Sequence, residues 1–404
     1  KGGIRIHKVP STPADPAIAV LKGLDDVALV GARREIIHGS TVATNAILTG
    51  SGAVTALITT AGFEDIIEIG RQTRSHIYDL SVERALPLVP RSRRFGVQER
   101  TDQTGRVVKP VEASQLAQLL KKLKRLKVQS IAVCLLFSYA NPRNEKILHR
   151  ELRSLRMPIS LSHLILPEYR EYERMSTTVI NAYVAPVMET YIGRLERQSG
   201  APSFKVMQSN GGVISAKSAR HQAVRTILSG PAGGVVGAYE VGRMAGYENV
   251  ITFDMGGTST DVSLCKGGIK TTTETTISGH PVKVPVIDIH TVGAGGGSIA
   301  YLDEGGSLRV GPQSAGADPG PICYGKGEQL TITDAQLFLG RLDPDSFLGG
   351  SMRLHPQRVP GPMEELARKM GLPPVRAAEG IISVANATME RAIRVISVER
   401  GHDP

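Results

Sequence analysis

Apolar positions along this chain fall into a few distinct patterns, and each predicts an element. The run Ser130-Ile131-Ala132-Val133-Cys134-Leu135-Leu136-Phe137 is apolar without alternation, which predicts a strand buried on both faces. A second strand is predicted at 55–59. Between them, over about 112–127, Leu116, Leu119, Leu120, Leu123 and Leu126 recur at helical spacing among lysines and arginines, the signature of an amphipathic helix with one solvated face. Another helix follows Asn141-Pro142, with Asn141 placed to cap it. Strand, helix and strand in alternation imply an α/β arrangement.

Farther along, Val179, Tyr183, Val187, Tyr191 and Leu195 predict a long helix over 177–198, capped by Ser176, kinked at Pro186 and marking a domain crossing. A short strand is expected near 205–208. A small-residue helix then opens at Ser229-Gly230-Pro231 and ends near Gly246, and a hairpin is expected over 251–263. The glycine-rich stretch 293–327 is too long for one structureless loop and should contain short strands. A last helix is predicted at 377–398, and no tandem repeat is visible.

Composition narrows the class. A length of 404 residues suggests two or three domains, and 41% hydrophobic with 21% charged residues is ordinary for a soluble globular protein. No uninterrupted apolar stretch reaches the length of about 18 residues that a membrane-spanning helix needs. Cys134, Cys265 and Cys323 show no zinc-type or redox-type spacing, which suits a cytoplasmic setting. The net charge of +10 raises nucleic-acid binding as a question. Its clusters, Arg91-Ser92-Arg93-Arg94 and 121–127, read as solvated faces, and an aromatic content of 4% leaves little for base stacking, so no nucleic-acid partner is expected.

Candidate chemistry concentrates in Ile251-Thr252-Phe253-Asp254-Met255-Gly256-Gly257-Thr258-Ser259-Thr260-Asp261-Val262-Ser263. Adjacent Gly256 and Gly257 allow close backbone approach to a bulky anion, and Thr258, Ser259 and Thr260 add hydroxyls to cradle phosphate oxygens. Asp254 and Asp261 bracket the turn, where carboxylates hold a hydrated cation or orient a water. The plainer alternative is a hairpin whose glycines serve geometry alone. Upstream, the start of the small-residue helix brings Gly230, Gly233 and Gly234, with N–H groups suited to an anion. No Gly-x-x-x-x-Gly-Lys-Ser/Thr run is present, which argues against a P-loop NTPase.

Other positions carry open alternatives. Asp288 and His290 share a strand face if the segment is extended, and such a pair binds a metal, relays a proton or simply pairs. His280 lies eight residues before Asp288, at a position the sequence does not place. Gly295, Gly296 and Gly297 present amides to an anion or form a turn scaffold. His38, Thr41 and Asn45 are substrate-contact candidates, with a structural His38 as the alternative. The cluster Glu168–Arg174 reads as a salt-bridged segment or a solvated face. Nothing near Cys323 marks it as activated.

Two resemblances follow from these residues. The Gly-Pro-Ala-Gly-Gly helix followed by the Phe-Asp-x-Gly-Gly-Thr hairpin resembles the actin, sugar kinase and heat-shock chaperone ATPase superfamily, whose two-lobed α/β fold is therefore expected. The blocks His38-Gly-Ser-Thr-Val-Ala-Thr-Asn45, Thr59–Asp65, Ile69-Gly70-Arg71-Gln72, Glu168–Arg174, Asn181–Pro186, Asp288–Ser298, Gly311–Pro321 and Val398–Pro404 resemble the hydantoinase/oxoprolinase family in order along nearly the whole chain.

The family's opening Asp-x-Gly-Gly-Thr-Phe-Thr-Asp loop is not matched. The resemblance thus implies an internal portion of a longer polypeptide, incomplete at both ends, with an N-terminal domain over 1–175 and an ATPase-type domain over 176–404. It implies ATP as cofactor with Mg²⁺, or alternatively Mn²⁺, held by Asp254 and Asp261. Catalysis would involve Asp254, Asp261, Asp288, His290 and His38. The implied activity is ATP-dependent hydrolysis of a cyclic amide, of hydantoin or 5-oxoproline type, through phosphoryl activation of its carbonyl. The fragment alone need not carry it. A second hydantoinase B-type subunit, an oligomeric assembly and a cytoplasmic location are implied as well, without membrane attachment. Alternatives are a ketone carboxylase subunit and a non-enzymatic, nucleotide-responsive clamp.

Overall fold

The computed structural model describes residues 4–12, 14–27, 35–73 and 85–404, so the chain start at Lys1 lies outside the described residues. The contacts divide the chain into two compact units. One comprises Arg33–Gly233 with Thr271–Ile287; the other comprises Lys1–Ala32, Gly234–Lys270 and Asp288–Pro404. The boundary at 233/234 falls inside the small-residue helix Ser229–Met244. Residue 176 lies within the first of these units.

The unit built from 33–233 is centred on a four-stranded parallel sheet. Its order is Arg94–Val97, Thr55–Thr60, Ser130–Cys134, Ile159–Leu161. Alternation across the pleat sends Ala56, Ile58, Ile131 and Val133 into a core shared with Leu116, Leu119 and Leu123 of the helix Ala113–Arg125 and Leu148 and Leu152 of the helix Arg143–Leu152. Leu57, Ala132 and Cys134 face the other way, onto Met175, Val179 and Ala182 of the helix Glu171–Gln198. Both faces of the sheet are covered, as the unbroken apolar run in Ser130–Cys134 required. The N-cap of the helix Arg143–Leu152 is Pro142, not Asn141, which lies one residue earlier and accepts at its Oδ1 from the Arg143 amide at 3.0 Å. A smaller sheet, Glu35–His38, Ser203–Met207 and Val213–Ser215, completes this unit.

Two boundaries differ from the sequence expectation, for identifiable reasons. The strand expected through Phe137 stops at Cys134, because the next amides leave the ladder for side chains. Leu135 donates to Glu145 and Leu136 to Thr60, both at 3.0 Å, and Phe137 turns to φ 54°. The long helix begins at Glu171, not after Ser176, and runs through Pro186 as one element of 28 residues. Ser176 is buried within it, and its hydroxyl donates to the Pro281 carbonyl at 2.7 Å.

In the other unit, the strands Asn249–Met255 and Thr260–Lys266 form an antiparallel hairpin, extended by His290–Val292 alongside Thr260–Val262. Val262 packs with Ala392 and Ile396 of the helix Pro374–Ile396. The glycine-rich stretch contains a second hairpin, Ser298–Leu302 with Leu308–Ser314. Its Ala300 joins a core with Ile332, Ala335, Met363, Ala377 and Ile381 from three helices.

Candidate functional site

The first hairpin puts its two carboxylates opposite each other. β-branched and apolar residues favour the paired strands, and the register places Asp254 across from Asp261 and Met255 across from Thr260. The turn between them is closed by the Gly256 amide donating to the Ser259 carbonyl at 2.9 Å. Neither Gly256 nor Gly257 belongs to the glycines with positive φ, so conformational licence is not what makes them glycine. Space is. A Cβ on Gly257 would meet nothing within 4 Å, and one on Gly256 only the Ser259 carbonyl oxygen at 3.5 Å. Gly256, Gly257 and Thr258 are exposed, and among the described residues the amides of Gly257 and Thr258 make no hydrogen bond.

Asp254 is exposed and Asp261 half-buried. Burial raises the Asp261 carboxyl above its ordinary value, the Thr291 hydroxyl opposes that shift by donating to its Oδ1 at 2.5 Å, and the negative charge of Asp254 adds to it. Like charges directly opposed across strands are destabilising. Among the described residues neither carboxylate pairs with a Lys or Arg. Two carboxylates beside an exposed turn fit a hydrated Mg²⁺, which keeps several waters and takes one or two protein carboxylates plus phosphate oxygens. Among the described residues no cluster of three or more His, Cys, Asp or Glu forms a site built wholly of protein ligands.

Gly295, Gly296 and Gly297 support this turn from behind. All three amides are engaged: Gly295 donates to Ser298 Oγ at 2.8 Å, while Gly296 donates to the Gly256 carbonyl at 3.0 Å and Gly297 to the Gly257 carbonyl at 2.7 Å. The latter two N–H groups are therefore committed to the hairpin and not directed at an anion. A Cβ on Gly295 would stand 2.7 Å from the Gly256 carbonyl oxygen and 2.8 Å from the Thr258 nitrogen. Thr260 is buried, and its hydroxyl donates to the Ala294 carbonyl at 2.5 Å, away from the turn. Among the described residues the hydroxyls of Thr258 and Ser259 make no hydrogen bond. On the other side, a Cβ on Gly234 would lie 3.1 Å from Asp254 Oδ2, so the missing side chain lets the carboxylate lie against the helix.

Asp288 and His290 do not act as a pair here. Asp288 lies between strands, its carboxylate gripped by both terminal nitrogens of Arg400, with Nη2 to Oδ1 at 3.3 Å. His290 sits opposite Val262 on the face away from Asp261, lining a cavity of about 670 Å³ with Tyr301, Arg309, Thr388 and Arg391. Three residues that sequence reasoning passed over hold the site together. They are Thr291 on Asp261, Ser314 donating to the Gly257 carbonyl at 3.2 Å, and Thr333 donating to the Gly296 carbonyl at 2.8 Å. Thr291 and Ser314 carried a signal, as parts of the Asp288–Ser298 and Gly311–Pro321 blocks, and Thr333 carried none.

In the unit built from 33–233, the His38 block closes the start of the helix Ser229–Met244. The Ser40 amide donates to Ser229 Oγ and the Gly230 amide to the Ser40 carbonyl, at 3.0 and 3.2 Å. The N–H of Gly230 is thus satisfied internally, and Pro231 has none. A Cβ on Gly233 would meet Met207 Sδ at 3.2 Å. Thr41 and Asn45 lie on the exposed side of the short helix region starting at Val42. His38 shares a hydrogen bond with Tyr191 Oη at 2.9 Å and packs on Phe204, and burial lowers its imidazole to about 4. Neutral at physiological pH, it has the surroundings of a structural residue.

The lowered value gives a pH prediction. A histidine with a depressed folded-state pKa stabilises the fold fully above its unfolded value of 6.5, and that contribution disappears as pH falls through about 4. His38→Phe should flatten the loss of unfolding free energy across that window by roughly 2–3 kcal/mol, measured by denaturant titration at several pH values. An unchanged slope would show that the imidazole is not held neutral.

The chain thus combines two α/β units, one of which carries an exposed glycine turn flanked by opposed carboxylates. The chain belongs to the hydantoinase/oxoprolinase family: the family model, Hydantoinase/oxoprolinase, matches residues 174–404, and that of the Hydantoinase/oxoprolinase N-terminal region matches 1–155. It is similar to the caprolactamase subunit alpha of Pseudomonas jessenii, 39% identical over 424 residues that cover 100% of this chain and 61% of the relative. The crystal structure of that ATP-dependent caprolactamase matches with a TM-score of 0.80 and 38% identity, covering 100% of this chain and 61% of the other. A nucleotide-free structure of acetone carboxylase, from work on ATP-dependent acetone carboxylation, matches with a TM-score of 0.86 and 30% identity, covering 98% and 60%. The 5-oxoprolinase 1 of Arabidopsis thaliana is 37% identical over 409 residues, covering 90% of this chain and 32% of the relative. The chain therefore spans less than two thirds of the length of these relatives. No helix among the described residues is long and apolar enough to cross a membrane.

Proposed function

We propose that this chain supplies the phosphoryl-transfer site of an ATP-dependent enzyme that opens a cyclic amide. One observation carries the reading: among the described residues the amides of Gly257 and Thr258, on an exposed turn, make no hydrogen bond, and the two opposed carboxylates beside them pair with no Lys or Arg. In this reading the two amides and the hydroxyls of Thr258 and Ser259 bind phosphate oxygens. Asp254 and Asp261 hold a hydrated Mg²⁺, or Mn²⁺, and Thr291 fixes the orientation of Asp261. When bound, the metal neutralises charge on the transferring phosphoryl group. Gly295–Gly297 keep the turn in place, and Gly234 lets Asp254 lie close to the helix.

An amide oxygen is a poor leaving group until it carries phosphate, so phosphorylation of the carbonyl oxygen is a chemically sensible way to open a stable ring. Asp288, His290 and His38 have no part in this step; their surroundings are those of structural or peripheral groups. Similarity to an enzyme named as a subunit supports a second polypeptide completing the reaction. The hairpin beside its small-residue helix supports an actin-like nucleotide fold, and three free, buried cysteines suit a cytoplasmic enzyme. The acetone carboxylase match, with its TM-score of 0.86, supports a second reading in which the activated carbonyl belongs to a ketone or bicarbonate.

Phosphate release from ATP by the longer protein and its partner subunit separates these readings. Stimulation by a lactam or hydantoin is expected. Stimulation only by ketone plus bicarbonate would replace ring opening by carboxylation, and turnover with neither would leave a nucleotide-responsive clamp.

A further inference from the structure

The Ile69-Gly70-Arg71-Gln72 block has no part in the phosphate site, yet it forms one wall of a cavity of about 420 Å³ within the unit built from 33–233. The opposite wall comes from residues 276–281, an excursion of the chain that belongs by contacts to this unit although it follows the phosphate hairpin in sequence. Its neck is closed where the Asp288 amide donates to the Lys270 carbonyl at 2.9 Å, just before His290–Val292 pairs with the hairpin. Both walls hold backbone in the left-handed region, at Gly70 (φ 59°) and Gln72 (φ 55°) on one side and Ser278 (φ 48°) and Gly279 (φ 78°) on the other. Non-glycine residues at such angles carry strain that tends to collect at ligand sites.

Charge is balanced on this cavity's walls. Arg71 Nε donates to Glu173, a carboxylate buried on the long helix, and its Nη2 to Glu274 at 3.2 Å. Glu68 is held by the buried Arg94 at 2.6 Å. Among the described residues that line the cavity, no positive charge is left unpaired. The polar groups that remain are uncharged. Among the described residues the side chains of Gln72, Thr276 and His280 make no hydrogen bond, and burial lowers the His280 imidazole, keeping it neutral with one donor and one acceptor. Ile67, Pro87 and Pro281 supply apolar wall. The volume lies in the range of small-molecule sites, and the exposed lining is more polar than apolar.

We infer that this cavity binds a small, uncharged ring bearing an amide, with Gln72, Thr276 and His280 reading its C=O and N–H and the walls excluding a carboxylate-bearing ring. The inference rests on the ring-opening reading above and assigns that reaction's specificity to these side chains.

Calorimetry on the full chain tests it with caprolactam, hydantoin and 5-oxoproline as probes, and with MgATP titrated separately into the same preparations. Caprolactam or hydantoin should bind more tightly than the anionic 5-oxoproline. Thr276→Phe, which fills the space, and His280→Phe, which removes the imidazole, should each weaken that binding at least tenfold with MgATP affinity unchanged. Uncharged rings binding both variants as well as wild type, 5-oxoproline binding best, or no ring binding at all would overturn the assignment. Loss of MgATP binding in the wild type with ring binding intact would instead count against the phosphate-site reading alone.

Discussion

Asp254→Asn lowers nucleotide turnover by on the order of a hundredfold to a thousandfold, the loss expected when a group that fixes charge at a transferring phosphoryl is neutralised. The same change leaves the melting temperature unchanged or slightly raised without metal. It removes one of two like charges facing each other across the hairpin, and with it part of what raises the Asp261 carboxyl. Lower activity without lower stability is the combination that a site residue gives and a structural residue does not. Steady-state kinetics at saturating MgATP and thermal unfolding of the same preparation check both halves. A variant that unfolds early, or one that turns over normally, would remove Asp254 from the site.

Gly295→Ala has a larger structural effect, although the residue touches no ligand in this reading. Its added Cβ would stand 2.7 Å from the Gly256 carbonyl oxygen and 2.8 Å from the Gly257 carbonyl carbon and the Thr258 nitrogen, all of them backbone atoms that cannot swing aside. The hairpin turn has to shift, moving the two open amides and straining the bonds from Gly296 and Gly297 to the turn carbonyls. A loss of about 1–3 kcal/mol in stability is expected from such overpacking. Weakening of nucleotide binding by at least tenfold should accompany it. Gly257→Ala is the control, since its Cβ points into open space. That variant should fold as wild type and lose nucleotide affinity through contact with the ligand alone. Calorimetric titration with MgATP distinguishes the two, and equal behaviour of both variants would show that the Gly295 approach is not what holds the turn.

Much of this architecture was legible because local pattern and tertiary environment agree. The unbroken apolar run at 130–134 and the small-residue helix before Phe-Asp-x-Gly-Gly-Thr lead directly to a doubly covered strand and an exposed glycine turn. What the sequence hid are partners distant in the chain. Ser176 has the side chain of a helix cap, but its hydroxyl is taken by Pro281, so the helix starts earlier. Asp288 and His290 have metal-pair spacing, but Arg400, 112 residues on, claims the carboxylate. Gly295–Gly297 resemble an anion nest, yet carbonyls of the first glycine turn take two of their three amides. A glycine run shows that backbone will come close to something; whether that is a phosphate or another stretch of backbone depends on the fold.

A crystal of the chain grown with Mn²⁺ and a non-hydrolysable ATP analogue tests the phosphate site most directly, through the anomalous signal of the metal. The expected result is one manganese peak at the carboxylates of Asp254 and Asp261, with phosphate oxygens on the amides of Gly257 and Thr258. Nucleotide bound elsewhere, with the hairpin free of metal and phosphate, would contradict it.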